Sequence, residues 1–276
     1  MPDDTDRPPR DDRPEESRRV HLGGIFDEDA ELYDRARPGY PPELYDGLAE
    51  LAGARPGSRV LEVGCGTGQA TVPLAGRGCR ITAVEAGARM AAVARRNLAG
   101  AASVEVVTAR FESWPLPPEP FDAVVSATAF HWIDPAVRVT KAADALRPGG
   151  ALAVVRSQHV RGGTEDFFVD VQRYERFDPR TPPGLRLPAA ADIDGSDHAR
   201  EVERSGRFGP TAFRRYEQDL TYTTSDYVLR TYSGHRDLPE AARNGLLGCI
   251  ADLVEGRYDG RVTKRHLIDM GVSHRR

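Results

Sequence analysis

Val60-Leu-Glu-Val-Gly-Cys-Gly-Thr-Gly-Gln69 is an apolar run ending in glycines at 64, 66 and 68, followed at 81–85 by Ile-Thr-Ala-Val-Glu. A buried strand that enters a glycine turn and then a helix, with an acid closing the next strand, is the pattern of a nucleoside-binding βαβ unit. The spacing separates the ligands such a unit can take. A dinucleotide fingerprint carries a third glycine where the helix packs closely beside a pyrophosphate, and Gln69 stands there. The spacing is therefore G-x-G-x-G, which argues against a nicotinamide oxidoreductase.

Outward from this turn, residues 58–155 alternate apolar runs and amphipathic stretches with short connections, the pattern of a parallel sheet built from βαβ units. Strands are expected at 58–63, 80–85, 104–108, 121–127 and 150–155, and helices at 68–76, 87–98 and 135–146. Leu146-Arg-Pro-Gly-Gly150 reads as a helix stop and turn. Further on, a helix near 164–177, strands at 213–223 and 261–270, and helices near 225–233 and 239–255 complete the pattern.

The glycine spacing, the acid at 85 and the segment Thr128-Ala-Phe-His-Trp132 resemble the class I S-adenosylmethionine (SAM)-dependent methyltransferases. The region from Phe213 onward is similar to bacterial small-molecule members of methyltransferase type 11, related to trans-aconitate methyltransferases, so the likeness spans roughly 24–276. It implies an α/β, Rossmann-like fold: a seven-stranded, mostly parallel sheet of order 3-2-1-4-5-7-6, its last strand antiparallel, with helices on both faces. It also implies SAM as cofactor and methyl transfer to a small molecule, at oxygen for preference. The alternative is a SAM-binding protein of the same fold that catalyses another reaction or serves as a binding module.

Residue by residue, the resemblance gives the backbone of Gly64, Cys65, Gly66 and Gly68 to the methionine carboxylate, and Glu62 to its ammonium. Cys65 itself reads as a small packing residue rather than a nucleophile. Glu85, about 20 residues past the turn, is placed to accept both ribose hydroxyls, with Ala86 passing the ribose and adenine edge. Arg110 departs from the family, which often has an acid there, so adenine recognition falls to the Phe111 amide or ring, or to Glu112. Ser126 and Ala127 would touch the sulfonium side, while His131 and Trp132 face cofactor or substrate. His131 is the candidate general base, because imidazole titrates near neutrality; otherwise it bonds backbone while Trp132 packs. Phe26, Tyr33, Arg37 and Tyr40 would form a lid whose aromatic faces suit a sulfonium cation. Arg37 is read either as meeting a substrate carboxylate or as a helix cap.

Residues 1–22, rich in Asp, Glu, Arg and Pro, are expected to be a disordered tail ahead of a single domain at 23–276, with an N-terminal lid at 24–56 and a substrate-side insertion at 157–210. A net charge of −4 gives no general attraction to nucleic acid or anionic membrane. Three scattered cysteines and seven histidines without metal spacing suggest neither a disulfide framework nor a metal site. No stretch approaches the ~18 apolar residues of a membrane span, so the expectation is a cytoplasmic protein acting on a small molecule. Its oligomeric state is left open.

Overall fold

The computed structural model describes residues 27–171, 177, 186–235 and 238–276. The chain divides into two compact units, with boundaries inside the strands over 146–163, 212–223 and 261–274 and in a loop at 192–193. The first holds residues 27–158, 193–218 and 267–276, and the second the described residues of 159–192 and 219–266.

The strands are β1 (Arg59–Val63), β2 (Arg80–Glu85), β3 (Val104–Thr108), β4 (Phe121–Ala127), β5 (Leu146–Gly163), β6 (Ala212–Thr223) and β7 (Arg261–His274). They form one sheet of order β3-β2-β1-β4-β5-β7-β6, as the resemblance implied. β1 pairs in parallel with β2 and β4, β2 with β3, and β4 with β5. β7 runs against β5, because Gly149 bonds Arg275 whereas Thr164 bonds Thr263. The sheet is therefore mixed at one side only.

Nine α-helices accompany it among the described residues: α1 (Ala30–Ala36), α2 (Pro42–Leu51), α3 (Thr71–Gly76), α4 (Ala88–Asn97), α5 (Pro135–Ala145), α6 (Glu165–Asp170), α7 (Asp197–Arg204), α8 (Thr224–Gly234) and α9 (Glu240–Arg257). Strand side chains alternate faces, and the first unit shows that period directly. Val60, Ala123, Val125, Ala151 and Ala153 pack with Leu44 and Leu48 of α2 and Ala94 of α4. Leu61, Val124, Leu152 and Val154 pack with Val139 and Ala142 of α5 and Val202 of α7. Burying both faces explains why these strands read as nearly continuous apolar runs.

The second unit has its own core, in which Phe167, Tyr222, Tyr227, Leu246, Ile250 and Val254 cluster. Phe167 meets Tyr227 and Tyr258 edge-on, with ring centroids 5.0 and 5.5 Å apart.

Three elements differ from the sequence expectation. The helix expected from 68 begins at Thr71, because Gly64, Gly66 and Gly68 all take positive φ and hold 66–70 as a turn. The fifth strand is far longer than 150–155 and starts at Leu146, which already pairs with Phe121; a register shift between Phe121 and Ala123 absorbs the Arg-Pro-Gly-Gly stretch. The helix near 164–177 is described over Glu165–Asp170, and residues 172–176 lie outside the described residues. Among the described residues, no helix is long and apolar enough to cross a membrane.

Candidate active site at the ends of β1, β2 and β4

The backbone ladder between β1 and β4 runs from Val60↔Ala123 to Glu62↔Val125. One step further the Ser126 hydroxyl donates to the Val63 carbonyl at 3.0 Å, so a side chain bridges the two strands where the chain turns away. In an open parallel sheet, the carboxyl ends of strands at the point where strand order reverses form the binding crevice. β1 and β4 flank that point here.

Gly64 lies at φ +72°, and its N–H donates to Val84 O at 2.8 Å. A β-carbon at Gly64 would strike Ala129 Cβ, which shows how closely the glycine turn approaches the segment after β4. At Gly66, φ is +59° and a β-carbon would have Tyr33 Cε1 at 3.8 Å and Met90 Cε at 3.5 Å. The Tyr33 ring thus stands beside the turn. Cys65 is buried, and burial pushes its thiol well above the usual range, as expected of a packing residue.

Two carboxylates converge on this turn. Glu85 Oε2 accepts the Gly66 N–H at 2.9 Å, and Oε1 accepts the Gly87 N–H at 2.8 Å. Burial raises this carboxyl, while those N–H groups pull the other way. Glu62 is 1% exposed, and its Oε2 has no hydrogen-bond partner among the described residues. Burial pushes its carboxyl up to about 8, against the nearby Thr71 hydroxyl, and the Glu85 charge adds to the rise. A buried carboxylate oxygen without a donor is costly unless a ligand supplies one. Lobes of backbone N–H, one orphaned acid and one acid with spare lone pairs suit a ligand carrying a carboxylate, an ammonium and vicinal hydroxyls, which is the donor set of SAM.

The N-terminal segment is fastened on the same side. Asp27 Oδ1 accepts the N–H groups of Arg89 and Met90 at 2.8 and 2.9 Å, which caps α4 from outside its own chain segment. Asp29 caps α1 by accepting the Leu32 N–H at 3.1 Å. Arg37 lies over the Tyr33 ring at 5.0 Å. The Tyr40 hydroxyl is 2.9 Å from Thr128 Oγ1, and burial raises its pKa, so the phenol stays neutral. Phe26 lies outside the described residues. Asp27→Ala is expected to cost about 1 kcal/mol of stability and to speed amide exchange at Arg89 and Met90, while unchanged exchange there would remove the capping role.

Thr128 has φ +53°, a costly conformation for a β-branched residue. Its N–H bonds Val155 O at 2.8 Å and its hydroxyl meets Tyr40, so neighbours on two sides hold it there. Just beyond, the His131 and Trp132 rings are 4.5 Å apart. His131 keeps solvent contact, yet partial burial first, then the charges of His198, Arg138 and Arg156, lower its pKa to about 4. It is a neutral imidazole at physiological pH.

The remaining candidate residues stand as follows. Phe111 is buried in the core with Leu61, Val63 and Val84, which gives its ring a packing role. Arg110 turns to Glu112 at 3.1 Å, and Glu112 also accepts the Asp134 N–H at 3.2 Å. Ser126 spends its hydroxyl on Val63, Ala127 lies buried beside it, and Ala86 is exposed at the end of β2. Sequence reading missed Asp27, the strain at Thr128 and the Tyr40–Thr128 bond. Each depends on residues 62 or 88 positions apart, and no local signal announces them.

Residues 60–150 match the family model described as a methyltransferase domain. Over that third of the chain, the similarity is to a methyltransferase domain. An uncharacterized methyltransferase of Mycobacterium tuberculosis is 40% identical over 123 residues, 45% of this chain and 48% of that protein. A malonyl-[acyl-carrier protein] O-methyltransferase of Enterobacter lignolyticus is 37% identical over 131 residues, covering 45% and 51%. The chain thus spans about half the length of these curated relatives. The phosphoethanolamine N-methyltransferase 2 of Haemonchus contortus, solved with SAM, shares the fold at a TM-score of 0.51 and 15% identity, over 92% of this chain and 57% of that one. The matched residues of the methyltransferase domain include the glycine turn, Glu62, Glu85 and His131.

Proposed function

We propose that this protein transfers a methyl group from SAM to a small-molecule acceptor, by preference at oxygen. The observation that carries the reading is the buried, partnerless Glu62 Oε2 beside a glycine turn already gripped by Glu85. Glu62 would receive the ammonium of the methionine part, with the glycine turn at 64–68 approaching its carboxylate closely. Each Glu85 oxygen accepts one N–H in the structure and has a lone pair left for a ribose hydroxyl. Ala86 and the Arg110–Glu112 pair would border the adenine, and Ala127 the reacting centre.

SAM supplies, when bound, an electrophilic methyl on a sulfonium centre open to in-line displacement. This chain contributes position and exclusion of water. Tyr33, Arg37 and Tyr40 would close over the crevice, and the strained Thr128 fixes the β4 end against Tyr40. His131 is neutral and solvent-contacting, so its ring can accept a hydrogen bond from an acceptor hydroxyl and hand the proton to water. The Enterobacter relative's name as an O-methyltransferase supports oxygen as the target.

The test is calorimetric titration of the whole chain with SAM and with NAD, followed by transfer of labelled methyl to a panel of hydroxyl, amine and thiol acceptors. Binding of NAD without SAM, or SAM bound and never consumed across the panel, overturns the reading. His131→Ala is expected to lower kcat about tenfold with SAM affinity intact, below the usual range of general-base contributions, since a base of pKa about 4 is a weak one. The wild-type pH–rate profile should show no His131 limb between pH 5 and 8. A limb near 6.5 that disappears in the variant would contradict that assignment.

A further inference from the structure

Within the first unit, β5, β7 and α7 line a small pocket that is partly open to solvent. Leu152, Val154 and Arg156 face it from alternate positions of β5, as do Asp269, Gly271 and Ser273 from β7, with His198 on α7 closing it. Val155 is level with Ala127 of β4, so Arg156 stands one residue further, beside the strained Thr128 that precedes His131. The pocket therefore adjoins the end of β4, where methyl transfer is placed above.

The charges around it do not balance. Asp269 is paired with Arg215, Nε to Oδ1 at 2.7 Å, and takes a weak bond from Gln158 at 3.4 Å. Glu201 of α7 is paired with Arg138, Nε to Oε1 at 2.7 Å. Asp269 and Glu201 thus face three arginines, and the third, Arg156, also acts on Asp269 through its charge. Its Nη1 is buried with no hydrogen-bond partner among the described residues. A buried guanidinium nitrogen without an acceptor is held at a cost unless an anion completes it. Thr211 and Ser273, whose hydroxyls lie 2.8 Å apart, and the ring of Phe213 make the remaining wall neutral.

We propose that Arg156 anchors a carboxylate of the methyl acceptor, which rests on the transferase reading above. One surplus positive charge with Asp269 and Glu201 close by matches a monoanion and disfavours a phosphate dianion, and a planar carboxylate fits the guanidinium fork. The carboxylate is a handle, not the methylated group. Pairing with a guanidinium withdraws electron density from it, so the nucleophile is a second group on the same molecule, held near His131.

The experiment titrates the full chain, with and without saturating S-adenosylhomocysteine, using benzoate, neutral benzamide and inorganic phosphate as probes, and titrates SAM separately. Benzoate should bind, benzamide should not, and Arg156→Gln should weaken benzoate about tenfold or more, with Arg156→Lys recovering part of it and SAM affinity unchanged in both. Benzamide binding as tightly as benzoate, preference for phosphate, no benzoate binding, or full benzoate binding in Arg156→Gln overturns the proposal. The benzamide comparison uses wild-type protein, so poor folding of a variant does not hide the answer. Failure of SAM to bind, with benzoate behaving as expected, overturns the transferase reading and leaves the anion pocket standing.

Discussion

Gly64→Ala is expected to lower stability by about 2–5 kcal/mol and SAM affinity about a hundredfold or more. Two costs coincide at this position: a positive φ that an L side chain resists, and a β-carbon driven into Ala129 Cβ. Relief would push the segment after β4 away from the turn, and with it Thr128, His131 and Trp132. Gly66→Ala separates the terms. Its φ is also positive, yet a new β-carbon there has its nearest neighbours at 3.5 Å, so it should cost only the backbone strain, about 1–2 kcal/mol. Denaturant unfolding of both variants measures the difference, and equal costs would show that contact with Ala129 does not define the crevice.

SAM affinity is expected to climb with pH, by up to about tenfold per unit, and to level off near pH 8. Burial holds the Glu62 carboxyl at about 8 against an ordinary value of 4.5, so the folded, ligand-free protein keeps that proton across the interval between them. A folded-state pKa above the unfolded one stabilises the native chain most at low pH and loses that contribution as pH rises towards 8. An ammonium placed against Glu62 favours the carboxylate instead, so binding below pH 8 expels a proton. Glu62→Gln should remove the pH dependence and leave affinity about a hundredfold weaker at pH 8, the scale of a lost buried charge pair. Calorimetry in buffers of different ionisation enthalpy reads the proton directly. Flat affinity from pH 6 to 8 with no proton release would sink the assignment of Glu62 to the ammonium.

β1 and β4 could be read closely from the sequence because they are buried on both faces and therefore nearly continuously apolar, whereas the edge strand β3 was recognisable by its β-branched residues. β5 was recognisable only in its buried stretch. Its extension, Ser157-Gln-His-Val-Arg-Gly-Gly163, has no apolar run, and tertiary hydrogen bonds such as Thr164 to Thr263 accompany its far end. The glycine turn was legible since only glycine takes those φ values without strain, and Glu85 because its spacing is fixed by the length of one βα unit. Phe111 was ambiguous: an aromatic after a strand looks the same whether it stacks on a base or fills a core. Arg156 gave no signal at all. What distinguishes it is that Asp269 and Glu201 face three arginines, a property of neighbours as much as 113 residues away, at Asp269.

The hydroxyl of Ser126 has a consequence for how the crevice holds its width. Where two parallel strands part company, nothing in the backbone fixes the angle of the fork, and a ligand wedged between them would pry it wider. One oxygen, tied across the gap to Val63 O, acts as the last stitch of the seam. That bond helps hold the gap between the strands at one width before any ligand arrives.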